Sequence, residues 1–323
     1  MKFLKALGGF LLVAALLLGA GWLWASSKSA NEMAATMDVP ATGFPIPAPL
    51  SADEVADLGL SPETADSVAL ARAIERGTHL VQARYGCRDC HGENFAGGVM
   101  IDSPPMGRMY GPNLTGGAGS RIGAFTPEDW DRVVRHGVLP DGRRAVMPAD
   151  EFKRMSDQEL GDIVAYIQNL PAVDNTTPPV SLGPIGKVLI ALGTFTFSAT
   201  DRIDHEAQHV ALPPEATVSV EFGRHLAATC VGCHRPNYSG GPIVGGDPSW
   251  VDARNITAHE DGLAGWTLEQ FSTAMRDMKR PDGTDLIMPM TLIQPFAQQM
   301  TDVEIEAIWT FLQSLPPTPT GTN

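Results

Sequence analysis

Two five-residue segments of the chain have the spacing Cys-x-x-Cys-His, at residues 87–91 and 230–234. In each segment two thiols stand one helical turn apart and an imidazole follows directly. This pattern is typical of covalent haem attachment, in which the thiols add to the two vinyl groups and the histidine becomes the proximal ligand of the iron. The sequence therefore predicts two covalently attached haem c groups, held by Cys87, Cys90 and His91 and by Cys230, Cys233 and His234.

Other chemistries of paired cysteines are disfavoured. A zinc site would have to join both pairs into a four-cysteine set, yet a whole repeat of the chain separates them. A redox dithiol needs no histidine directly after it, and here that histidine occurs twice. The chain has 4 cysteines, so the two motifs leave none for disulfides.

Methionines supply the candidate sixth ligands of the two irons. Met147 precedes Pro148 and lies 56 positions after His91. Met288 has the same local pattern, Pro-Asp-Gly followed by four residues and Met-Pro, whereas Met290 matches by its distance of 56 positions from the second histidine. We expect the axial pairs His91 with Met147 and His234 with Met288, and Met290 remains the alternative in the second copy. Ligation by histidine and methionine raises the reduction potential of a haem.

The two motifs belong to a longer repeat, and each copy is about 100 residues long, a usual domain size. The shared landmarks keep their order in both copies. They are Gly77-Thr78-His79-Leu80, Asn113-Leu114-Thr115, Pro140-Asp141-Gly142 and Met155-Ser156-Asp157 in the first copy, and Gly223-Arg224-His225-Leu226, Asn255-Ile256-Thr257, Pro281-Asp282-Gly283 and Met300-Thr301-Asp302 in the second. We expect surface or packing roles for His79 and His225, and the alternative is that they are distal ligands in a bis-His arrangement. The recurring Asn-x-Thr segments favour a loop that forms hydrogen bonds near the haem over glycosylation.

Both copies have the sequence signals of helices. Ser156 with Glu159, and Thr301 with Glu304, form capping boxes that precede apolar stripes with helical spacing. Thr126 and Thr267 open a further helix in each copy. We expect these stripes to be core.

The N-terminal segment predicts a membrane helix. Lys2 and Lys5 precede a run without charges from Ala6 to Ala25, which is long enough to cross a bilayer as a helix. Trp22 and Trp24 close it as an aromatic belt, and the leading lysines place the remaining chain outside the cytoplasm. The alternative is a cleaved signal peptide, for which Ala25-Ser26-Ser27 is a poor cleavage site.

Composition divides the rest of the chain. We expect a membrane anchor at residues 1–27, an acidic, Pro-rich tether without a core of its own at 28–69, a first domain at 70–172, a linker at 173–215 and a second domain at 216–323. The apolar part of the linker, 182–199, is interrupted by Pro, Gly and Lys, and a second crossing would separate two repeats that need the same chemistry. We expect this stretch to pack on a domain.

Charge argues against nucleic acid as a partner. The chain carries 23 Lys plus Arg against 37 Asp plus Glu, a formal net charge of −14, whereas nucleic-acid binding needs a basic surface. Residues 216–323 carry 6 basic and 12 acidic side chains. This excess favours a basic redox partner, such as a soluble cytochrome, for the second domain.

With these motifs the chain resembles the membrane-anchored di-haem c-type cytochromes of bacteria, and it is similar to the cytochrome subunits of alcohol and gluconate dehydrogenases. The resemblance covers roughly residues 70–317. It implies a mainly α fold, with two tandem cytochrome c domains behind an N-terminal transmembrane helix. The chain departs from the family pattern at His79 and His225, where Tyr is usual, and in its longer second Met loop.

The resemblance implies an electron-transfer protein and no enzyme. We expect single electrons to pass from a dehydrogenase or a quinol-side donor to a downstream cytochrome or terminal oxidase, at the periplasmic face of the bacterial inner membrane. The alternative is a di-haem enzyme, peroxidase-like or thiosulfate-oxidising, with one open or displaceable haem ligand. The ambiguous second Met loop is the feature that leaves room for it.

Overall fold

The computed structural model describes residues 2–243, 246–247 and 249–322, without the side chains of residues 2 and 4. Most of its secondary structure is helical, as expected. The helices are, in chain order, α1 (Lys2–Ala34), α2 (Ala52–Asp57), α3 (Pro62–Ala83), α4 (Cys87–His91), α5 (Pro127–Val134), α6 (Ala149–Phe152), α7 (Asp157–Gln168), α8 (Pro184–Leu192), α9 (Val220–Ala227), α10 (Val231–His234), α11 (Leu268–Asp277), α12 (Gln294–Ala297) and α13 (Asp302–Ser314).

The predicted helix starts are confirmed. Complete capping boxes, in which the side chains of the N-cap and N3 residues each bond to the other's backbone N–H, stand before α5, α7, α11 and α13. The apolar stripes of α7 and α13 are buried, with Leu160 and Leu312 each 1 % exposed. The helix that carries each capping box is therefore a core element of its repeat.

The first and last helices of each repeat approach closely at a glycine. In the first repeat α3 packs against α7, and a Cβ at Gly77 would lie 2.1 Å from the Asp162 carbonyl oxygen. In the second repeat α9 packs against α13, and a Cβ at Gly223 would lie 1.9 Å from the Ala307 carbonyl oxygen. Only glycine leaves room for these backbone contacts, which explains why both copies have it two positions before the shared His-Leu.

A small antiparallel sheet, absent from the sequence predictions, follows the first Cys-x-x-Cys-His motif. Strand β1 (Gly98–Ser103) pairs with β2 (Gly107–Gly111), and β2 pairs with β3 (Ser181–Leu182). A register irregularity falls between Val99 and Ile101. Strand β1 begins at a glycine, β2 begins and ends at one, and β3 is two residues long. The alternation of apolar and polar residues that indicates a strand is therefore nearly absent from the sequence.

The chain divides into two compact units whose boundary differs from that of the repeats. The first unit comprises Met1–Thr42, Asp89–Asp150 and Val173–Glu206, and the second comprises Gly43–Arg88, Glu151–Ala172 and Ala207–Asn323. Helices α3 and α7 of the first repeat therefore belong to the same unit as the whole second repeat.

The predicted tether at 28–69 requires correction. Helix α1 continues to Ala34, and α3 begins at Pro62, ahead of residue 70, because Ser61 caps it and Pro62 occupies its first turn. In the first unit the Met37 N–H donates to the Gly142 carbonyl at 2.8 Å. In the second unit the buried Phe44 lies against Gly161. A backbone hydrogen bond at Met37 and the buried side chain of Phe44 thus tie parts of this segment to the packed units.

The predicted linker at 173–215 is also partly regular. It contains β3 and α8, and α8 packs against α1 within the first unit. With bounds of Pro184–Leu192, α8 is too short to cross a bilayer. This agrees with the expectation that the apolar stretch packs on another part of the protein.

The glycine contact between helices gives the first prediction. Gly223→Ala places a methyl group against the Ala307 carbonyl, so α9 and α13 must separate, and we expect a loss of about 1–3 kcal/mol of unfolding free energy. Urea unfolding of the haem-loaded protein measures it. Gly123→Ala is the matched control, because a Cβ there meets nothing within 4 Å. Equal stability of the two variants would contradict the close contact.

Candidate functional site

Each Cys-x-x-Cys-His motif is helical, which sets the spacing of its thiols. Residues Cys87–His91 form α4, and Cys230 directly precedes α10. Two cysteines three positions apart on a helix project from neighbouring places on one face. Burial raises the pKa of Cys230 to about 11, so before attachment this thiol is protonated and lacks the low pKa of a redox-active cysteine. This favours a role of the motif in thioether attachment over a role as a redox dithiol.

Both proximal histidines are oriented by a backbone carbonyl. Nδ1 of His91 lies 3.0 Å from the Pro112 carbonyl oxygen, and Nδ1 of His234 lies 2.6 Å from the Arg254 carbonyl oxygen. Since a carbonyl only accepts, Nδ1–H donates in both cases and Nε2 is left with its lone pair. This is the tautomer that an iron ligand needs.

The electrostatics of the two histidines agree with that tautomer. Burial lowers the pKa of His91 and of His234, although the hydrogen bond to the carbonyl opposes the shift in each case. Both imidazoles are therefore neutral near pH 7. A neutral ring with a free Nε2 lone pair fits a haem iron.

The loops that supply these carbonyls are clamped by buried asparagines. Asn113 follows Pro112, is fully buried, accepts from the N–H and hydroxyl of Thr115, and donates to the Val173 carbonyl at 2.8 Å. The clamp confirms the prediction of a hydrogen-bonded loop, because a fully buried amide is no glycosylation site.

The second repeat has the same clamp. Asn255 follows Arg254, accepts from the N–H and hydroxyl of Thr257, and donates to the Thr318 carbonyl at 2.6 Å. In both repeats the loop with the asparagine-threonine segment is thus held in place by a backbone stretch that lies C-terminal to the last helix of the repeat.

Close backbone contacts support each attachment helix from behind. A Cβ at Gly111 would lie 2.0 Å from the Cys90 carbonyl oxygen, so the end of β2 packs directly on α4. In the second repeat the Gly240 N–H donates to the His234 carbonyl at the end of α10 at 3.1 Å, and a Cβ at Gly240 would lie 2.4 Å from the Ala253 carbonyl oxygen. The sequence reasoning missed these glycines and the two carbonyl acceptors, since a backbone atom leaves no residue-type signal.

The candidate methionines differ between the repeats. Met147 is half-buried just before α6. Met288 is 44 % exposed, and its sulfur accepts a hydrogen bond from the Thr291 hydroxyl at 3.0 Å. Met290 is partly buried and packs against the hydrophobic core of the second repeat. The ligand assignments of Met147 and Met288 stay predictions.

The chain matches two families of known proteins. Residues 72–167 match the family described as cytochrome C oxidase, cbb3-type, subunit III, and residues 220–316 match the cytochrome c family. Each match contains one Cys-x-x-Cys-His motif with its backbone-anchored histidine. The chain is a di-haem c-type cytochrome.

Two curated relatives of the cytochrome are named as cytochrome subunits of dehydrogenases. It is 29 % identical over 262 residues to the fructose dehydrogenase cytochrome subunit of Gluconobacter japonicus, covering 76 % of this chain and 53 % of that protein. It is 28 % identical over 284 residues to the cytochrome c subunit of the quinone alcohol dehydrogenase of Gluconacetobacter polyoxogenes, covering 78 % and 59 %. The cytochrome therefore spans between half and three-fifths of the length of these two relatives.

A further relative has a more similar length. The cytochrome is 25 % identical over 273 residues to a protein of Cereibacter sphaeroides named diheme cytochrome c-type, covering 76 % of this chain and 87 % of that protein. This relative has the two-haem count that the two motifs imply.

Haem stoichiometry tests the attachment residues. Replacing Cys230 and Cys233 by serine removes both thioether bonds of one motif, so we expect one covalent haem per chain where the unaltered cytochrome has two. Denaturing gel electrophoresis with haem staining and intact mass measure it. The matched variant Cys87→Ser with Cys90→Ser should give the same count. Two haems in either double variant would contradict the assignment.

Proposed function

We propose that this cytochrome is a membrane-anchored periplasmic carrier of single electrons between a dehydrogenase or quinol-side donor and a downstream cytochrome or terminal oxidase, and that it is no enzyme itself. When bound, each haem supplies a one-electron redox couple. The observation that carries the proposal is the recurrence of one neutral, carbonyl-anchored histidine in each repeat. The names of the relatives as dehydrogenase cytochrome subunits support a dehydrogenase as the partner.

The proposal assigns two haem-binding domains, at 70–172 and 216–323, and places one haem in each. The family matches at 72–167 and 220–316 support these bounds. In the first domain His91 and Met147 would hold the iron, and in the second His234 and Met288. If these four residues hold the two irons, they would leave no position open for a substrate, and they would act by holding the group and limiting access to it.

An enzymatic function is the second candidate, and it rests on the second methionine loop. Met288 is exposed and Met290 lies two residues away in a partly buried position, so this loop offers two sulfurs for one position on the iron, and either would exchange with the other. A displaceable ligand is what a di-haem enzyme would need at its reactive iron.

Carbon monoxide distinguishes the two functions. We expect the absorption spectrum of the dithionite-reduced cytochrome to be unchanged by carbon monoxide, and the oxidised form to show the weak far-red band of methionine-to-iron bonding. Binding of carbon monoxide by about half of the haem would favour the enzymatic function over electron transfer.

The same assay assigns the methionines. Met147→Ala and Met288→Ala each remove one predicted ligand, so each should make about half of the haem bind carbon monoxide. Met290→Ala is the control, because it alters a neighbouring sulfur and leaves the predicted ligand in place. Binding by Met290→Ala together with none by Met288→Ala would exchange the two assignments.

The N-terminal helix supports the membrane anchor. Residues Lys5–Ala34 have a mean hydropathy of 2.1 in their most apolar window, and none of that window is buried. At the end of the apolar run Ala25 is 1 % exposed, and just beyond it Ser29 is also 1 % exposed and the Lys28 ammonium donates to the Ala191 carbonyl of α8 at 2.8 Å. Lys187 of α8 lies over the Trp22 ring at 5.4 Å. Cleavage at Ala25-Ser26-Ser27 would remove Trp22 and Ala25 but leave Lys28 and Ser29, so the contact of Trp22 with Lys187 and the burial of Ala25 favour a retained helix.

Membrane extraction tests the anchor. We expect the cytochrome to stay in the membrane fraction after an alkaline carbonate wash, and peptide mapping of the mature protein to recover the segment from Trp22 to Lys28. A variant in which a cleavable signal peptide replaces residues 1–25 should be released as a soluble protein. A mature chain that begins after Ala25 would contradict the anchor.

A further inference from the structure

The histidines that recur before each Cys-x-x-Cys-His motif pair across the two repeats. Nε2 of His79, on α3 of the first repeat, lies 2.9 and 3.0 Å from the two carboxylate oxygens of Glu304, on α13 of the second repeat. Nε2 of His225, on α9 of the second repeat, lies 2.8 Å from Oε1 of Glu159, on α7 of the first repeat. All four residues belong to the second compact unit. Each repeat thus contributes one histidine and one glutamate to the contacts with the other repeat.

Both acceptors are the N3 glutamates of capping boxes. Oε2 of Glu159 accepts from the N–H and hydroxyl of Ser156, both at 2.8 Å, while Oε1 faces His225. Oε2 of Glu304 accepts from the Thr301 N–H at 2.7 Å and also faces His79. Each carboxylate therefore starts the last helix of its own repeat and holds the first helix of the other.

The pair around Glu159 is the more enclosed. The Glu159 side chain is 4 % exposed and also forms an ion pair with Arg84. The Nη2 of Arg84 donates to the His225 carbonyl at 2.9 Å. Burial raises the pKa of Glu159, but the hydrogen bond from His225 and the charge of Arg84 outweigh it and lower that pKa to about 2. A buried carboxylate that lost these partners would be strongly destabilising.

The His79–Glu304 pair is more accessible to solvent, and the hydrogen bond between its members shifts the pKa of each. The His79 side chain is 35 % exposed. Its hydrogen bond to Glu304 raises the pKa of His79, with burial opposing. Burial raises the pKa of Glu304, and the hydrogen bond from His79 outweighs this and lowers it. On its own helix Glu75 and Arg76 lie one turn away. Helix α7 packs against α3 and carries Asp157, Glu159, Asp162 and Tyr166, of which Asp162 forms an ion pair with Arg76 at 2.6 Å. Helix α12 also packs against α3 and carries no titratable side chain.

We propose that these two exchanged pairs, His79–Glu304 and His225–Glu159, are a lock that holds the helical frames of the two repeats in one arrangement and thereby positions α3 and α9, the helices that lead into the two attachment motifs. The four side chains are positioning residues. The inference rests on the proposed electron-transfer function, because the two motifs are where the haem groups would be held.

The placement of the pairs along the chain supports this role. His79 lies eight positions before Cys87, and His225 lies five positions before Cys230. Each histidine is therefore on the helix that leads directly into an attachment motif. A movement of α3 against α13, or of α9 against α7, is passed along the backbone to the cysteines.

The pH range of the lock follows from the signs of the shifts. A histidine with a raised pKa stabilises the folded form fully below its ordinary range, and this contribution is lost as the pH rises through the raised value. A carboxyl group with a lowered pKa stabilises it above the ordinary carboxyl range, and this is lost as the pH falls. The His79–Glu304 pair is therefore strongest in mildly acid solution and weakens at alkaline pH.

A double-mutant cycle tests the contact in the full-length, haem-loaded cytochrome. It uses His79→Ala, Glu304→Gln and the double variant, with Gln keeping the capping box intact. We expect the two changes to be coupled by about tenfold in the unfolding constant, about 1.4 kcal/mol. This pair is chosen because Glu159 is so enclosed that its variants can fail to fold. Additive effects would overturn the lock.

Pulsed electron paramagnetic resonance between the two oxidised irons tests the positioning, and it needs no partner protein or electron donor. At pH 6 we expect one narrow distance distribution for the unaltered cytochrome and a second, broader population for His79→Ala. The unaltered protein should gain that population as the pH rises. His79→Arg keeps a cation beside Glu304 at every pH, and it should stay narrow up to pH 9.

His259→Ala is the matched control. His259 also lies near a carboxylate, with Nδ1 3.4 Å from Asp261, but both residues belong to one loop of the second repeat. We expect it to leave the distance distribution unchanged. An unchanged distribution in His79→Ala, or a broadening in His79→Arg equal to that in His79→Ala, would overturn the positioning role. Because no electron is transferred in the measurement, a wrong donor or acceptor in the proposed function leaves this result unaffected.

Discussion

The close approach of the first and last helices in each repeat is the constraint on which the other features depend. At Gly77 and at Gly223 a helix backbone lies so near to a carbonyl oxygen of its partner that a side chain has no room. This contact fixes the direction in which α3 and α9 run into the Cys-x-x-Cys-His motifs. It also fixes α7 and α13, whose N-terminal glutamates reach the other repeat. Packing between two helices thus sets both the attachment site and the contact between repeats.

Backbone carbonyls orient the histidines of the two Cys-x-x-Cys-His motifs. The carbonyl that orients each histidine belongs to Pro112 in one repeat and to Arg254 in the other. Because the accepting atom is the same whatever the side chain, the two repeats keep the geometry with different residues at this position. The side chains that both repeats keep are Asn113 and Asn255, which hold the loop. This division is consistent with relatives that are below 30 % identical over most of this chain.

The two repeats are similar in their helices and differ in what surrounds them. The first has the three-stranded sheet after its motif, and α8 in the segment that follows packs on α1. The second has a longer methionine loop and an excess of acidic side chains. Arg84 also breaks the symmetry, since it joins the His225–Glu159 pair and the other pair has no such cation among its described partners. These differences make the two haem environments unequal within one chain.

The sequence alone determined the local features. The Cys-x-x-Cys-His spacing, the Ser-x-x-Glu and Thr-x-x-Glu capping boxes and the apolar run after Lys5 are patterns of neighbouring residues, and each reports chemistry that happens within a few positions of the chain. For this reason the haem count, the mainly helical fold and the helix starts were predicted from the sequence and confirmed.

The tertiary structure decided what depends on residues far apart. Which carbonyl orients His91, why Gly77 recurs, and which glutamate meets His79 are contacts between segments separated by tens to hundreds of residues, and no local pattern records them. The sheet and the packed segment at 28–69 were missed for the same reason, because Ser181–Leu182 is too short to read as a strand and Phe44 is buried by a distant helix. The repeated His and Glu were visible in the sequence, but only the folded chain shows that their pairing is exchanged.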